Sequence, residues 1–333
     1  MMLHALSAFS ADTLRIDPAV EAHRIVAALR SQLRAQRKRG LVLGLSGGID
    51  SSVSVALAVR AVGAHNVQVI YMPERDSDPE SLRLGQLVAS TFGLEGTVED
   101  IGPMLDALGC YARRDAAIRS IVPQYAADWA CKVVIGQSAG GDGYNISSLV
   151  VQSPDGKQST HRMPLEVYLG VVAATNMKQR TRKQIEYYHA DRLNFAVLGT
   201  PNRLEYDQGF FVKNGDGAAD VKPIAHLYKT QVYALAEYLG VPEEIRRRPP
   251  TTDTYSLPQS QEEFYFALPY NLMDLCLYGL NHGIPVAAVA AAAKLTEAQV
   301  QHVWRDIAAK RKATKYLHAA PLLVTPVEEL APL

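Results

Sequence analysis

The chain has 333 residues and a formal net charge of zero at pH 7, which argues against a protein that holds nucleic acid through a strong basic field. No apolar run is long enough to span a membrane, and three widely spaced cysteines form neither a disulfide framework nor a zinc-ligand pattern, which suits the cytoplasm. With 48% hydrophobic residues the chain can bury a large core, and we expect a single domain over residues 1–333.

The first predicted helix begins after Asp17, because Asp favours the N-cap and Pro18 suits the first helical position. It is expected to run to Arg39 and to end at Gly40. The side chains expected to face the core are those of Val20, Ile25, Ala28 and Leu29.

Residues 41–52 are predicted to form a strand, a glycine loop and the start of a helix. The strand, residues 41–45, is apolar throughout, which is typical of a strand buried on both faces. Gly47-Gly48 allows a tight turn, and the N–H groups at the helix start attract anions such as phosphate. A carboxylate at Asp50 would repel a bare phosphate, so the pattern favours a divalent cation between the two.

Strands and helices alternate after this loop, which predicts an α/β fold: a Rossmann-like parallel sheet with helices on both faces. Further strands are predicted at residues 67–72, 97–100 and 194–198. Helices are predicted from a start within residues 76–79 to residue 92, and at residues 165–190 and 228–239. The C-terminal part is predicted to be helical, with Thr296 and Gln299 forming a capping box. Because ligands bind at the carboxyl ends of parallel strands, the loop at Ser46 and the turn after Met72 are expected at one edge of the sheet.

Residues 110–165 interrupt this alternation and are predicted to be an insertion within the domain, either a lid or an extra interface element. The insertion is expected to contain a helix at residues 112–130, strands at 133–135 and 148–151, and a turn at 154–157. Its Gly- and Ser-rich residues 138–143 have no following helix, so they favour a flexible loop over a second phosphate site.

Two blocks of sequence resemble known families. Ser46-Gly47-Gly48-Ile49-Asp50-Ser51 resembles the S-G-G-x-D-S loop of the ATP pyrophosphatases (the adenine nucleotide alpha-hydrolase-like superfamily), which holds the pyrophosphate part of ATP. Residues 199–220 and Tyr228-Lys229-Thr230-Gln231, with residues 176–182 upstream, resemble the second signature of the NAD synthetase family. The likeness covers residues 20–109 and 170–317.

The NAD synthetase resemblance implies an ammonia-dependent ligase that uses ATP and Mg²⁺ to amidate deamido-NAD to NAD through an acyl-adenylate, releasing pyrophosphate and AMP. It implies catalytic roles for Asp50 and Lys229, and Mg²⁺ binding by Asp50 and Glu205. The ATP-binding residues that it implies are Gly44, Leu45, Ser46, Gly47, Gly48, Ile49, Asp50, Ser51, Ser52, Thr200, Lys229 and Thr251. The deamido-NAD-binding residues that it implies are Arg180, Lys213, Asp220 and Lys315.

The residues themselves also favour such a site. Glu205 lies just past a predicted strand end, where it could share a cation with Asp50. Lys229 opens a predicted helix, where the helix dipole disfavours a cation that has no other role. A lysine and Mg²⁺ would stabilise the negative charge that spreads over the phosphoryl oxygens during attack at phosphorus.

The resemblance further implies a homodimer that acts on small molecules, with no nucleic-acid or membrane partner. Free ammonia is the expected nitrogen source, because none of the three cysteines is placed like an amidotransferase nucleophile. A separate glutaminase subunit that delivers ammonia is the alternative.

Three departures from the family pattern leave the identity of the carboxylate substrate open. The insertion at residues 110–165 is absent from the compact family pattern, an aromatic segment replaces the family's sequence at residues 254–270, and Lys315 keeps its place while a neighbouring His is lost. The rings of Phe264, Tyr265, Phe266 and Tyr270 fit either a ring-stacking pocket or core packing.

Two alternatives to NAD synthesis therefore stay open. One is an amide ligase of the ATP pyrophosphatase type that acts on a different carboxylate. The other is a non-catalytic nucleotide-binding partner subunit, although the presence of Asp50, Glu205 and Lys229 argues against it.

Overall fold

The computed structural model describes residues 9–136, 146–251, 254–259, 265–266 and 268–327. Seven strands form two sheets within these ranges. The strands are β1 (Leu41–Gly44), β2 (Val67–Tyr71), β3 (Gly96–Val98), β4 (Ala130–Gly136), β5 (Ile146–Gln152), β6 (Gln158–Arg162) and β7 (Ala196–Val197). The order β3-β2-β1-β7 forms a parallel sheet, and β4, β5 and β6 form an antiparallel sheet.

Helices follow the strands in the predicted alternation. They are α1 (Pro18–Ala35), α2 (Ile49–Val62), α3 (Pro79–Thr91), α4 (Gly102–Ala107), α5 (Cys110–Arg119), α6 (Leu165–Leu193), α7 (Arg203–Gln208), α8 (Lys229–Leu239), α9 (Glu243–Arg247), α10 (Tyr270–Asn281), α11 (Val286–Ala293) and α12 (Glu297–Thr314). α1, α2, α3 and α8 pack on one face of the parallel sheet, and α6 packs on the other. The prediction of a parallel sheet with helices on both faces and a helical C-terminal part is confirmed.

β1 lies in the middle of the parallel sheet, because it pairs with β2 on one side and β7 on the other. Leu41, Val42 and Leu43 are all fully buried, as expected for a strand covered on both faces. Leu41 and Leu43 pack against the α1, α2 and α8 layer, whereas Val42 packs towards α6. The apolar run therefore places the loop that follows β1 at the middle of the carboxyl edge of the sheet.

The prediction for α1 is wrong in two details. The helix ends at Ala35 rather than Arg39. Val20 and Ala28 are exposed rather than facing the core, because they lie on the side of the helix opposite the buried stripe. That stripe consists of Ala22, Ile25, Val26, Leu29 and Leu33.

The insertion contains α5 and the antiparallel sheet. The predicted bounds of its helix are wrong, because α5 ends at Arg119, four residues before Pro123, and a proline neither donates a helix hydrogen bond nor tolerates a helical residue before it. The two predicted strands are confirmed in β4 and β5, and the predicted turn at residues 154–157 joins β5 to the unpredicted β6. Residues 138–143, predicted to be a flexible loop, lie outside the described residues.

The C-terminal helices pack around their own apolar cluster next to the sheet. The predicted capping box at the start of α12 is confirmed: Gln299 N donates to Thr296 Oγ1 at 3.2 Å, and Thr296 N donates to Gln299 Oε1 at 2.8 Å. The three cysteines are free and buried. Within the described ranges, the helices are all too short or too polar to cross a membrane.

Candidate active site

A cleft of about 1420 Å³ opens at the carboxyl edge of the parallel sheet. Its floor is formed by residues 44–51 after β1, by residues 72–74 after β2 and by residues 198–201 after β7. Its far walls come from α12 and from the inserted sheet. The predicted meeting of strand ends is therefore observed, and the cleft is large enough for two substrates side by side.

Most residues predicted from the resemblance line this cleft. They are Gly44, Leu45, Ser46, Gly47, Gly48, Ile49, Asp50, Ser51, Arg180, Thr200, Glu205, Lys213 and Thr251. Four others, Ser52, Asp220, Lys229 and Lys315, are not part of its lining. The first group can touch a ligand directly, whereas Ser52, Asp220 and Lys229 have other contacts and Lys315 is exposed.

The loop after β1 has the form expected of a phosphate site. Gly47 has a φ of +74°, and a Cβ there would lie 2.7 Å from Leu84 Cβ, so only glycine fits. Gly48 caps α2 with an ordinary φ of −80°, and none of the described side chains caps the helix. The first N–H groups of α2 are therefore left for an anion in the cleft.

Serine hydroxyl groups hold the loop in shape. Ser51 Oγ and Ser52 Oγ both donate to the Gly48 carbonyl, at 3.0 and 2.7 Å. Ser46 Oγ accepts a hydrogen bond from Gly48 N at 3.3 Å and lies 3.2 Å from Ser51 Oγ. Ser52 is fully buried and its hydroxyl group holds the loop, while Ser46 and Ser51 lie at the cleft.

Asp50, Lys229 and Glu205 form a charged cluster directly behind the loop. The Lys229 ammonium donates to Asp50 Oδ2, and Asn202 Nδ2 donates to Asp50 Oδ1 at 3.3 Å. Lys229 is fully buried, which by itself would lower its pKa, but the charges of Asp50 and Glu205 outweigh burial and raise the pKa. Lys229 is therefore a permanent buried cation that holds Asp50 at the edge of the cleft.

Glu205 is positioned by an unpredicted helix start. None of the helices predicted from the sequence falls within residues 199–220, but α7 begins there because Asn202 and Glu205 form a capping box. Asn202 Oδ1 accepts from Leu204 N at 2.9 Å, and Glu205 Oε2 accepts from Asn202 N at 3.1 Å. Asn202 thus orients both Asp50 and Glu205, a role that the sequence interpretation did not give it.

Asp274 of α10 is a second residue that sequence reasoning missed. Its carboxylate accepts from Lys229 N at 3.2 Å and from Thr230 N at 2.8 Å, so it caps the start of α8 from a distant part of the chain. It is fully buried, and burial raises its pKa to about 6, although the two N–H donors and Lys229 act against the shift. Its carboxylate fixes the position of the Lys229 backbone. No local pattern in the sequence announces this contact.

The cluster fits a divalent cation only if a ligand completes the site. Within the described ranges there is no group of three or more His, Cys, Asp or Glu side chains that could hold a metal ion. Asp50 and Glu205 are nevertheless two hard oxygen donors that converge on one cation, Lys229, at the phosphate loop. Mg²⁺ is commonly bound by one or two carboxylates together with substrate phosphates, so these donors suit it.

The four predicted substrate residues are in different situations. Arg180 Nε donates to the Lys213 carbonyl at 3.2 Å, and both side chains line the cleft. Lys213 Nζ donates to the carbonyl groups of Tyr316 and Ala319 at 2.7 and 3.2 Å, which joins this loop to the C-terminal segment. Asp220 accepts from Val197 N at 2.7 Å, and Lys315 is exposed.

A buried ionic network supports the end of β2, and sequence reasoning gave its members no role. Lys178 Nζ of α6 donates to Glu74 Oε1 at 2.9 Å, to Asp76 Oδ2 at 2.7 Å and to the Thr254 carbonyl at 3.0 Å. Arg114 of α5 also binds Asp76, at 2.5 Å. Glu74 follows the end of a predicted strand, and this position could have identified it as a residue of the site.

The two stretches that depart most from the family pattern contact each other. Cys131 N of β4 donates to Ser256 Oγ at 2.9 Å, and Leu257 N donates back to the Cys131 carbonyl at 3.1 Å. Tyr255 packs in the apolar cluster beneath the inserted sheet. Val133, Ser147, Thr254 and Tyr255 line the cleft. We call β4, β5, β6 and residues 254–259 together the insertion wall.

The predicted aromatic cluster divides between core and cleft. Phe266 is buried in the C-terminal apolar cluster, with Tyr270 packed against that cluster. Tyr265 stacks on Phe210, with 4.6 Å between ring centroids, and lines the cleft. Phe264 lies outside the described residues. Core packing is therefore confirmed for Phe266, whereas a ring-stacking pocket at Tyr265 stays a prediction.

A parallel α/β sheet with an anion-binding glycine loop after β1, backed by Asp50 and Lys229, defines a nucleotide-binding protein of the ATP pyrophosphatase type. The family model for NAD synthase matches residues 21–124 and 158–316. The unmatched internal stretch, residues 125–157, lies within the predicted insertion.

Individual relatives agree with this match. The chain is 77% identical over 322 residues, 97% of its length and 96% of the relative's, to a protein of Rhizobium meliloti (strain 1021) named NH(3)-dependent NAD(+) synthetase. Two solved structures share the fold at low identity. They are the NMN synthetase from Francisella tularensis (22% identity, 94% of this chain and 100% of that chain, TM-score 0.63) and the NH3-dependent NAD synthetase from Campylobacter jejuni subsp. jejuni NCTC 11168 (20%, 93% and 100%, 0.61). The chain belongs to the NAD synthase family.

Proposed function

We propose that the chain catalyses the ATP-dependent amidation of deamido-NAD to NAD with ammonia as the nitrogen donor. The observation that carries the proposal is the joint placement of the phosphate loop, Asp50, Glu205 and Lys229 at one edge of the sheet, in a chain of the NAD synthase family. The presence of all these groups in one place argues for a catalytically active enzyme and against a non-catalytic partner subunit.

The reaction would take place in two steps. The nicotinate carboxylate of deamido-NAD attacks the α-phosphorus of ATP, and the bond to pyrophosphate breaks. Ammonia then attacks the acyl-adenylate carbonyl, the bond to AMP breaks, and the new amide loses a proton to water. Neither step needs a covalent enzyme intermediate, so the chain contributes orientation and charge stabilisation.

The phosphate loop would hold the pyrophosphate portion of ATP. The N–H groups at the start of α2 can donate to phosphate oxygens, and Ser46 and Ser51 line the cleft beside them. Lys229 supplies a positive charge just behind Asp50, where negative charge develops on the departing pyrophosphate. Thr200 and Thr251 also line the cleft and can contact ATP there.

Asp50 and Glu205 would hold Mg²⁺ together with the phosphates of ATP. The ion would supply charge neutralisation of the phosphates. Asn202 keeps the two carboxylates in place through its contacts with both residues. Lys229 balances their charge within the protein itself.

The deamido-NAD site would lie between α6, the 209–217 loop and the C-terminal segment. Arg180 and Lys213 line this part of the cleft, and their positive charges suit a dinucleotide's phosphates. For Asp220 and Lys315 the support is the sequence resemblance, because neither lines the cleft. We keep all four in the proposal.

The remaining parts of the proposal rest on the sequence alone, through its composition and its family resemblance. They are a single domain with an insertion that acts as a lid or an interface element, a homodimer, small-molecule substrates without nucleic acid or membrane, and a cytoplasmic enzyme that uses free ammonia unless a glutaminase subunit supplies it. The insertion wall lines the cleft, which supports a part in substrate binding.

A second candidate is the same chemistry on a different carboxylate. The insertion wall contains both divergent stretches and borders the cleft, and the protein from Francisella tularensis with the same fold is named NMN synthetase. The test measures pyrophosphate and NAD formed from ATP, Mg²⁺ and deamido-NAD, with ammonium or glutamine added separately. NAD formed from ammonium supports the proposal; pyrophosphate release with only another carboxylate, such as nicotinate mononucleotide, favours the second candidate. No release with any carboxylate, despite tight ATP binding, would favour the non-catalytic subunit.

A further inference from the structure

One buried ion pair in the cleft has no part in the proposed reaction. Lys183 and Glu186 lie one turn apart on α6, and Lys183 Nζ donates to Glu186 Oε2 at 2.6 Å. The two side chains are only 7% and 9% exposed, yet both line the cleft. Removing two charges from water is costly, and such a pair stabilises a fold poorly. A contact with a ligand is a better reason for its presence.

The pair lies beside the strand that leads into the phosphate loop. A Cβ on Gly44, the last residue of β1, would lie 3.0 Å from Glu186 Oε1 and 2.8 Å from Met72 Cε. The absence of a side chain at Gly44 leaves the Glu186 carboxylate next to the backbone. Ser46 follows two residues later, a span of at most about 7 Å. A nucleotide with its phosphates on the loop therefore has its sugar within reach of Glu186.

The Glu186 carboxylate has one oxygen fixed and one oxygen open. Lys183 holds Oε2, whereas Oε1 accepts no hydrogen bond within the part of the chain that the structure describes. The Lys183 charge also favours a lower pKa for both Asp216 and Lys222, so the lysine lies near charged residues of the 212–222 loop. This arrangement leaves an oriented acceptor facing the cleft.

Vicinal hydroxyl groups suit such an acceptor. In dinucleotide-binding folds an acidic residue accepts hydrogen bonds from the ribose hydroxyl groups, so a carboxylate is a suitable partner for them. We propose that Glu186, oriented by Lys183, accepts hydrogen bonds from the ribose hydroxyl groups of ATP and makes the chain select ATP over its deoxy analogues. The inference deepens the proposed function and rests on its placement of ATP on the phosphate loop.

The test is calorimetric binding of ATP, 2′-deoxy-ATP and 3′-deoxy-ATP to the full chain without deamido-NAD. The unaltered chain should bind at least one deoxy nucleotide about tenfold more weakly than ATP, because hydrogen bonds to charged groups are worth that much in binding. Glu186→Gln should reduce the preference to about threefold or less. If the unaltered chain does not discriminate, or if Glu186→Gln keeps the full preference, the proposal is overturned.

A double variant keeps the test valid if Glu186→Gln folds poorly. Lys183→Met with Glu186→Leu replaces the pair by apolar side chains of similar volume, which proteins tolerate well, and it should also lose the preference. The matched control is Glu99→Gln, since Glu99 accepts from His189 of α6 at 3.0 Å outside the cleft lining. An equal loss of preference in this control would overturn the proposal, because any disturbance of α6 would then suffice.

A further variant separates this proposal from the placement of ATP. Gly48→Val puts a side chain where the phosphates should approach, so it should weaken ATP and both deoxy nucleotides by the same factor. If it leaves all three affinities unchanged, the proposed ATP site is wrong, and the ribose assignment falls with it. If it weakens all three while Glu186→Gln keeps the preference, only the ribose assignment is wrong.

Discussion

The phosphate loop and the insertion wall border the same cleft but are built in opposite ways. The serine hydrogen bonds that shape the loop join residues at most five positions apart, such as those of Ser51 and Ser52 with the Gly48 carbonyl. The insertion wall is joined by contacts across more than a hundred residues, such as that of Cys131 N with Ser256 Oγ. The shape of the phosphate loop is therefore encoded in one short stretch of sequence, whereas the insertion wall forms only when distant segments meet.

This difference lets the insertion wall vary in sequence while the phosphate loop stays the same. A locally encoded loop can stay unchanged while the wall that faces it is replaced, because the serine hydrogen bonds that shape the loop do not involve the wall. The chemistry of ATP activation is then fixed, and the choice of carboxylate can change. The predictions below test whether the two halves of the cleft are separable in this way.

The largest effect is expected at the phosphate half, from Asp50→Asn. The carboxylate next to Lys229 is the nearest negative charge to the loop, and its loss should lower kcat for pyrophosphate release about 10³-fold with any carboxylate substrate. The fold should persist, because Glu205 still balances Lys229. The measurement is pyrophosphate release together with a thermal melt.

Asp12→Asn is the matched control for this variant, because Asp12 is 70% exposed and pairs only with the exposed Arg15 among the described side chains. It should leave kcat unchanged. Normal turnover in Asp50→Asn would remove Asp50 from the mechanism.

The same difference decides how much the sequence could predict. The apolar run of β1, the glycine loop and the capping box of α12 follow rules that act over a few residues, so the parallel sheet and the strand, turn and helix around the loop were predicted correctly. Asp274 caps α8 from 45 residues away, and Lys178 reaches Glu74 across 104 residues. Such pairings depend on tertiary packing, which no local pattern specifies.

The second-largest effect is expected from Lys178→Met, which disrupts the ionic network at the end of β2. The change leaves Glu74 and Asp76 with one fewer buried cation, and we expect the free energy of unfolding to fall by about 3 kcal/mol. ATP affinity should change less than twofold if the halves are separable. Denaturant unfolding and ATP calorimetry are the measurements.

Lys157→Met at the exposed turn between β5 and β6 is the control, and it should alter neither quantity. A large loss of ATP affinity in Lys178→Met, with stability intact, would show instead that the two halves depend on each other.

Asp274 predicts a pH dependence of stability. Its pKa is raised from 3.8 to about 6 by burial, so the folded chain holds a proton that the unfolded chain has lost between these values. The free energy of unfolding should therefore fall as pH rises from about 4 to 6, by up to about 3 kcal/mol, since one pKa unit is worth about 1.4 kcal/mol. Asp274→Asn should remove this slope.

The control for Asp274→Asn is Asp17→Asn at the exposed start of α1. It should keep the fall in the free energy of unfolding between pH 4 and 6. Urea unfolding at pH 4, 5, 6 and 7 measures it. An equal slope in Asp274→Asn and the unaltered chain would mean that other carboxylates cause the pH dependence.

The smallest effect is expected from Ser256→Ala, which removes the hydrogen bond between residues 254–259 and β4. One such bond is worth about 1 kcal/mol, so the KM for deamido-NAD should rise about fivefold while the KM for ATP stays the same.

This variant is gentler than a deletion of residues 137–158, which would also remove β5 and unpair the inserted sheet. Ser153→Ala, in the turn between β5 and β6, is the control. If Ser256→Ala raises both KM values equally, the insertion wall acts on the whole cleft, and the division between an ATP half and a carboxylate half is wrong.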